Sequence, residues 1–592
     1  MEFMPAERTS ICGFTWSIPT GSDVDGVPGS PDAGDDELPW YVTDIMTRRG
    51  IPSAHDFFRP SLRAVMPDPE LALSGMTEAV KIFVSAVMKG KKVAILGDYD
   101  VDGATSTAML LRWLRLVGRK DAIFHIPHRM NEGYGPSIFA VNKLHGEGAS
   151  LLVIVDSGTL SFEPIKRARE LGMDVVVIDH HEPSENGSLP DATVINPKLP
   201  TNDGSLSHLC SAGLVFMFLV AVNRLARQMK WFNSKRKEPT LSSLLGLVAL
   251  GTVADIVPLK SLNRAYAQLG FPHMADIPGL AALRDILSKR SQNKDSEIQW
   301  NAYSCGFLFG PCINAAGRIS DTRLGTILLS EDDYDKAAEI AETLVKLNAE
   351  RQDIQRVMIE ECENMVDDPG PSDDVIVLHN QSWHPGVIGI CASKIKDRFN
   401  RSTVIIGENG KGSARSVNGF NMGRALLRAK ESGLLIAGGG HAAAGGLTIN
   451  PARLDEFIAF MRSESRGMKR PPIEIDLVLR IGELTTDMIH AFESFQPFGM
   501  GNPKPRIAIV GGRIDRIQIL KGKHIKARLI EGRDSVEVIA FNSVGTTLGD
   551  GLVVCEGQMV DLLAELAINS YGGAEKIQLK PVDAMIASDL EA

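Results

Sequence analysis

Residues 91–107, KKVAILGDYDVDGATST, set three carboxylates, Asp98, Asp100 and Asp102, at every second position ahead of Gly103. In an extended chain alternate side chains leave on one side, so this spacing can gather three negative charges on one face. Two carboxylates ~6.5 Å apart repel by roughly 2–3 kcal/mol at an effective dielectric of ~20. A divalent cation relieves such crowding, and carboxylate oxygens favour hard ions such as Mg2+ or Mn2+. The same residues open a calcium-loop pattern, D-x-D-x-D-G. That pattern needs Glu at its twelfth position, which here is Met109, and a preceding helix, where this chain offers the apolar run Val93–Leu96. A solvated acidic turn is the other alternative for this segment taken alone.

More acids follow at comparable places. Residues 150–155, SLLVIV, read as a buried strand ending at Asp156, and residues 174–178, DVVVI, as another ending at Asp179-His180-His181. Strands of four to six apolar residues alternating with helical patterns predict a parallel sheet with right-handed crossovers. Ligands of such sheets sit at the carboxyl ends of the strands, so these acids share one rim. Beside them, one imidazole of the pair can ligate a metal and the other can meet a substrate phosphate. No H-E-x-x-H helix is present, which removes a zinc-protease reading. A long apolar helix over 240–254 delivers Asp255 in GTVADIVPL. A buried carboxylate there needs a partner, either a helix-cap hydrogen bond or a shared cation.

Groups that can hold phosphate come next. Residues 305–319, CGFLFGPCINAAGRI, place Asn314 and Arg318 among small residues that permit close backbone approach, and Arg318 can clamp a phosphate bidentately. Ser413, Arg415 and Ser416 in GKGSARSV, with His441 in GGGHAAAGG, form a second phosphate-holding set. The glycine run is neither a Walker loop, lacking G-K-[ST], nor a dinucleotide fingerprint, lacking the strand before it. Residues 391–430 carry nine Lys/Arg against two Asp/Glu, and residues 504–533 carry the same balance. The chain as a whole has net charge −10, so a polyanion has to be met by these local patches or through metal.

The elements that must position these residues divide the 592-residue chain into an α/β architecture with several bodies. Residues 1–39 read as a disordered acidic tail, 17–39 being rich in Gly, Pro, Ser and Asp. Residues 40–332 form the parallel-sheet domain. Residues 333–366 lack Pro and Gly and repeat apolar residues at helical spacing, predicting a helix ~45–50 Å long. Residues 367–470 form a smaller α/β domain. Residues 471–592 contain about five strand-like segments separated by Gly-containing turns, fitting a β-barrel of the oligonucleotide-binding (OB) type. Seven dispersed cysteines without a C-x-x-C pair argue for reduced thiols in the cytoplasm. The N-terminus lacks a secretory signal and no apolar run is long enough to span a bilayer comfortably, so no membrane association is expected.

GDYDVDGATST, VIVDSG, VIDHH and GTVADIVPL together resemble the four motifs of the DHH phosphoesterase superfamily. NEGYGPS, INAAGR, LNAERQ, WHPGVIGICASK, GSARS, GGHAAAGG and FQPFGMGNPKP resemble its bacterial branch of single-stranded-DNA-specific 5′→3′ exonucleases, over roughly residues 40–590. The resemblance implies a DHH domain, a connecting helix, a DHH-associated domain and an OB fold, with single-stranded DNA threaded between the first two domains. It implies two divalent cations, Mn2+ or Mg2+, which activate water without a covalent nucleophile. Asp100 would ligate one ion and Asp102 the other, Asp156 would bridge them, and His180 and Asp255 would complete the second position. Asp98 is a further candidate ligand. His181 would face the scissile phosphate, and Arg318, Ser413 and Arg415 would hold the terminal phosphate with His441 nearby. A helicase and a single-strand-binding protein are the implied protein partners. The pattern departs at Leu96, where many members place a metal-binding His, and at Cys312, where relatives often carry Arg. The rivals are a superfamily phosphodiesterase for short oligonucleotides or cyclic dinucleotides, and a non-catalytic binding relative.

Overall fold

The computed structural model describes residues 9–18, 38–128, 132–184, 186–290, 297–366, 375–569 and 575–587. The chain divides into two compact units, Arg59–Arg351 with Pro497–Pro503, and the remainder.

The first unit is built on five parallel strands, β1 (Val93–Leu96), β2 (Ile123–His125), β3 (Leu151–Val155), β4 (Asp174–Ile178) and β5 (Thr193–Ile195), in the order β2-β1-β3-β4-β5. β1 and β3 are buried along their whole length, as expected where helices cover both faces. One face packs against helices that include α1 (Val101–Leu116), α2 (Ser211–Gln228) and α3 (Leu245–Ala254). The other packs against Ile138–Gly146 and Phe162–Glu170. Strand order reverses between β1 and β3, and the crevice outside their carboxyl ends is where such sheets bind ligands.

The turn after β1 differs from the extended zigzag read from sequence. Helix α1 begins at Val101, with Asp100 as its N-cap accepting the Gly103 N–H at 3.0 Å. Asp102 therefore stands on the first helical turn, and the alternate-residue argument does not describe how the three carboxylates meet. A Cβ at Gly103 would lie 2.6 Å from both the N and O of Asp98. The glycine lets the helix start lie against the strand end, a strand–turn–helix joint that no calcium loop shares.

Three further elements frame the site. The C-cap of α3 is Asp255, followed by Ile256 at φ 58°. A π-helical turn, Cys305–Phe309, runs directly into α4 (Gly310–Ile319). The helix α5 (Tyr334–Asn364) is a single 31-residue element.

The second unit holds a five-stranded sheet, β6 (Ile376–His379), β7 (Thr403–Ile406), β8 (Lys411–Arg415), β9 (Ala437–Gly440) and β10 (Ala444–Thr448), in the order β9-β10-β8-β7-β6. Only β6 and β7 pair in parallel. It also holds a closed barrel of β11 (Ile507–Leu520), β12 (His524–Glu531), β13 (Asp534–Ala540), β14 (Met559–Asn569) and β15 (Lys576–Ile586). The ring runs β11-β12-β13-β15-β14 and closes by β14–β11 pairing.

The disordered tail expected over 1–39 does not hold for residues 9–18; residues 1–8 and 19–37 lie outside the described residues. Trp16–Ser17 pairs in parallel with Ile473–Glu474, and Trp16 is 2% exposed among Ile475, Ala508, Leu563 and Met585. Its Nε1–H donates to Asp583 Oδ2 at 3.0 Å. The burial of this indole, flanked by Phe14 and Ile18, sets residues 9–18 apart from the polar stretch that follows.

Candidate metal centre

The carboxyl ends of β1, β3 and β4, the start of α2 and the end of α3 bring the predicted ligands together. His180 Nε2 lies 3.3 Å from Asp156 Oδ1, 3.8 Å from Asp102 Oδ2 and 3.7 Å from Asp255 Oδ2. Asp98, Asp100 and Asp156 form one set whose donor atoms all lie within 4.8 Å of one another; Asp102, Cys210 and Asp255 form another. A third set, Asp156, His180 and His181, shares Asp156 with the first, and His180 Nε2 reaches Asp102 and Asp255 of the second.

Each acid is fixed by its element. Asp102 accepts the N–H groups of Ser211 and Ala212 at 2.7 and 2.8 Å, the first turn of α2, where donors are free and the helix dipole favours an anion. Asp156 sits at φ 60°, a left-handed conformation that Asp tolerates better than most residues. It also accepts from Ser211 Oγ at 3.3 Å. Burial, reinforced by the neighbouring carboxylates, pushes Asp102 up to about 6 and Asp156 and Asp255 well above the ordinary carboxyl range. Asp255 Oδ2 is buried and has no hydrogen-bond partner among the described residues. Crowded acids with an orphaned oxygen and an imidazole suit a pair of hard divalent ions, since added positive charge removes the strain that protonation otherwise relieves.

Asp179, the third acidic strand end, plays another part. It accepts the N–H groups of His180, His181 and Thr159 at 2.8, 3.1 and 2.9 Å, and lies 2.7 Å from His181 Nδ1. Burial opposes ionisation of both groups, but the mutual hydrogen bond and charge win, lowering Asp179 and raising His181. Tyr134 Oη donates to the Asp156 carbonyl at 2.9 Å and lies 2.9 Å from His181 Nε2. Burial, then the surrounding carboxylates, holds this phenol protonated. Asp179 is expected from sequence only as one of the acids on the rim, with no role of its own, and Ser211 and Tyr134 are not among the expected site residues. Only NEGYGPS and the first letter of the D-H-H triplet signal two of them. Ser211 contributes its backbone N–H to Asp102 and its hydroxyl to Asp156, and a lone Ser at a helix start announces neither.

Helix α4 lies against this centre: a Cβ at Gly317 would stand 3.0 Å from the Tyr99 carbonyl, and one at Gly310 3.6 Å from Ala254 Cβ. It carries half-buried Arg318 and Asn314, whose Oδ1 is buried without a partner among the described residues. In the second unit, Arg415 Nη1 donates to Ser413 Oγ at 3.1 Å, and Ser416 Oγ donates to the Ala442 carbonyl at 2.7 Å. His441 occupies the β9–β10 turn, and Ala444 pairs with Arg415, so these four residues gather at one end of the sheet. Leu96 is fully buried in β1. Cys312 is buried too, accepts from Asn348 Nδ2 at 3.4 Å, and its thiol is pushed up to about 12 by burial. The positive charge beside it is Arg351, 6% exposed and donating to Asn348 Oδ1 at 2.7 Å.

Family models match in sequence order: the DHH family N-terminal domain over residues 92–252, the DHHA1 domain over 372–466 and the RecJ OB domain over 475–583. The single-stranded-DNA-specific exonuclease RecJ of Escherichia coli (strain K12) is 32% identical over 570 residues, covering 92% of this chain and 95% of that protein. That of Dickeya dadantii is 34% identical over 568 residues, covering 92% and 96%. The crystal structure of RecJ in complex with Mn2+ from Thermus thermophilus superposes with a TM-score of 0.76 at 27% identity, covering 93% of this chain and 76% of that one. With the ligand-bearing strand ends, the associated domain and the closed barrel all matched in order, the chain belongs to the RecJ family of the DHH phosphoesterases.

Proposed function

We propose that this protein is a metal-dependent exonuclease that hydrolyses single-stranded DNA from 5′ to 3′, releases 5′-mononucleotides and serves DNA repair and recombination. The observation that carries this reading is the convergence of Asp156, Asp102 and Asp255 on His180 Nε2, all within 3.8 Å. Asp98, Asp100 and Asp156 would hold one cation, and Asp102, His180 and Asp255 the other, Asp156 serving both. Bound Mn2+ or Mg2+ supplies an activated water and neutralises charge on the phosphoryl oxygens. His181, whose charged form Asp179 favours, faces the scissile phosphate from beside Tyr134. Arg318 and Asn314 hold the backbone, and Ser413, Arg415, Ser416 and His441 take the terminal phosphate, where charge-assisted hydrogen bonds are strongest. These contacts address phosphate and not base edges, which suits an enzyme that degrades any sequence.

The seven free cysteines fit a reducing cytoplasm, and among the described residues no single helix is long and apolar enough to cross a membrane. A helicase that opens duplexes and a single-strand-binding protein are the partners such an activity calls for.

The test is digestion of 5′- and 3′-labelled single strands with and without Mn2+, using the full chain and Asp156→Ala. Mononucleotide release from the 5′ end should require metal and vanish in Asp156→Ala, whose affinity for single strands should stay within a few-fold of the parent. Release from the 3′ end, or turnover by the variant, would overturn the reading. A length series decides against the short-oligonucleotide rival if long strands are preferred.

A further inference from the structure

The π-helical turn Cys305–Phe309 has two unlike sides. Cys305 and Phe309 are fully buried, Phe309 against Trp300 with ring centroids 5.3 Å apart. Tyr303 and Phe307, by contrast, are 63% and 70% exposed, and they stack on each other, centroids 5.1 Å apart and planes 28° from parallel. Two large rings held in water cost stability. Had they served only the hydrophobic core, the turn would bury them as it buries Phe309. Near-parallel stacking instead leaves an open ring face on the surface. A π turn interrupts the usual helical ladder and is frequent at functional sites.

Position narrows what could cover that face. The turn runs without a break into α4, which carries Asn314 and Arg318. A Cβ at Gly306, the residue before Phe307, would lie 3.9 Å from Val253 Cγ1, two residues before Asp255. The exposed rings therefore belong to the same rigid body as the candidate ligand Asp255 and the candidate phosphate-holding residues. Those residues recognise only the backbone of a strand, and nothing among them meets its bases.

We propose that Tyr303 and Phe307 form a platform on which one unpaired base of the DNA strand stacks, registering the strand over the metal centre. The proposal rests on the exonuclease reading and adds a base contact to it. Stacking on a ring tolerates every base, because each has a π face, so it adds grip without sequence preference. A base-paired strand has its faces covered by its neighbours, so the platform also favours single strands over duplex. Both residues act as positioning groups, meeting a base and not the reacting atoms.

The experiment uses the full chain and single strands with phosphorothioate linkages, which slow hydrolysis, in which one abasic site is moved stepwise from the 5′ end. For the parent protein, one position of the abasic site should raise Kd about ten-fold, the usual worth of one base stack. Phe307→Ala and Phe307→Leu should lose that position dependence and bind intact strands about as the parent binds the abasic one. Phe307→Tyr should restore it. Tyr303→Ala should weaken it partly. Unchanged melting temperatures, expected for exposed positions, separate loss of the platform from loss of the fold. A flat abasic profile in the parent, or full retention of the profile in Phe307→Leu, overturns the platform while leaving the exonuclease reading standing. Failure of the parent to hold any single strand overturns both.

Discussion

Gly103 is constrained by what lies above it and not by its own dihedral angles. It occupies the first turn of a helix, where replacing Gly by Ala normally stabilises by ~1 kcal/mol. Here the added Cβ would sit 2.6 Å from the backbone N and O of Asp98. The helix start must then move off the strand end, taking Asp100 and Asp102 with it. Gly103→Ala should reverse the usual sign, destabilising by roughly 1–3 kcal/mol as overpacking does, and should weaken Mn2+ binding measured by isothermal titration. A stabilised variant with unchanged Mn2+ affinity would refute this account of the joint. The acids were legible because an apolar run followed by Asp is a strong local signal. How they converge was not. Asp100 reads as a ligand in sequence, yet its Oδ1 also caps α1, and Asp102 is oriented by N–H groups 109 and 110 residues away. Asp179→Asn tests the same scale. Oδ1 meets His181 and Oδ2 the Thr159 N–H, so the single N–H2 of Asn must displace one of the two, and turnover should fall roughly 10–100-fold, as for lost partners behind an active group. Mn2+ affinity should change less than turnover, because Asp179 holds His180 by its backbone N–H and is in none of the clusters of candidate ligand atoms.

At the scale of elements, the strap formed by residues 9–18 was the least legible part of the fold. Its neighbours in sequence are Gly, Pro, Ser and Asp, and composition averaged over the segment hid one buried indole. The sign was there in the alternation Phe14, Trp16, Ile18, with Ile11 and Cys12 just before it, a strand period that averaging over 1–39 erased. The strap is tied to β15 by the Ile11 N–H donating to the Ala584 carbonyl at 2.9 Å and by Trp16 and Cys12 donating to Asp583. Trp16→Ala should cost about 3–5 kcal/mol locally, the usual effect of emptying an aromatic site. The loss should be read as faster hydrogen exchange in residues 11–17 and 576–586. Asp583 adds a pH dependence. Burial raises its carboxyl above the ordinary value, and the donated hydrogen bonds from Ser10 and Trp16 offset this only in part. A carboxyl raised in the folded state binds its proton more tightly folded than unfolded. Its contribution is therefore present at acid pH and is lost as pH rises through the folded value. Protection of these segments should fall from the acid end of the pH range toward neutrality, and Asp583→Asn should remove most of that difference. An identical pH dependence in the variant would assign the effect elsewhere.

For the whole molecule the governing fact is a net charge of −10 carried by a protein that must hold a polyanion. The answer visible in sequence was two basic stretches, but charge counts overstate what a strand can meet. Within 504–533, Arg513 and Arg516 lie beside Asp515, and Lys526 pairs with Glu537. Lys521, Lys523 and Arg528 stand exposed along the β11–β12 hairpin and the β12 strand. These, with exposed Arg533 at the next turn, are groups able to release counterions when a strand binds. The triple variant Lys521→Ala, Lys523→Ala, Arg528→Ala should therefore flatten the dependence of log K on log salt for a long single strand by about 2, at roughly 0.7 for each phosphate no longer neutralised. It should leave cleavage of a trinucleotide at the parent rate, because the proposed metal centre of Asp156, His180 and Asp255 lies in the first unit. Slower trinucleotide cleavage would mean that the barrel's charges act on the metal centre itself. An unchanged salt slope would mean that this hairpin is simply a solvated face, as a single basic hairpin often is, and that the grip on long strands has to come from the basic stretch around β7 and β8 instead.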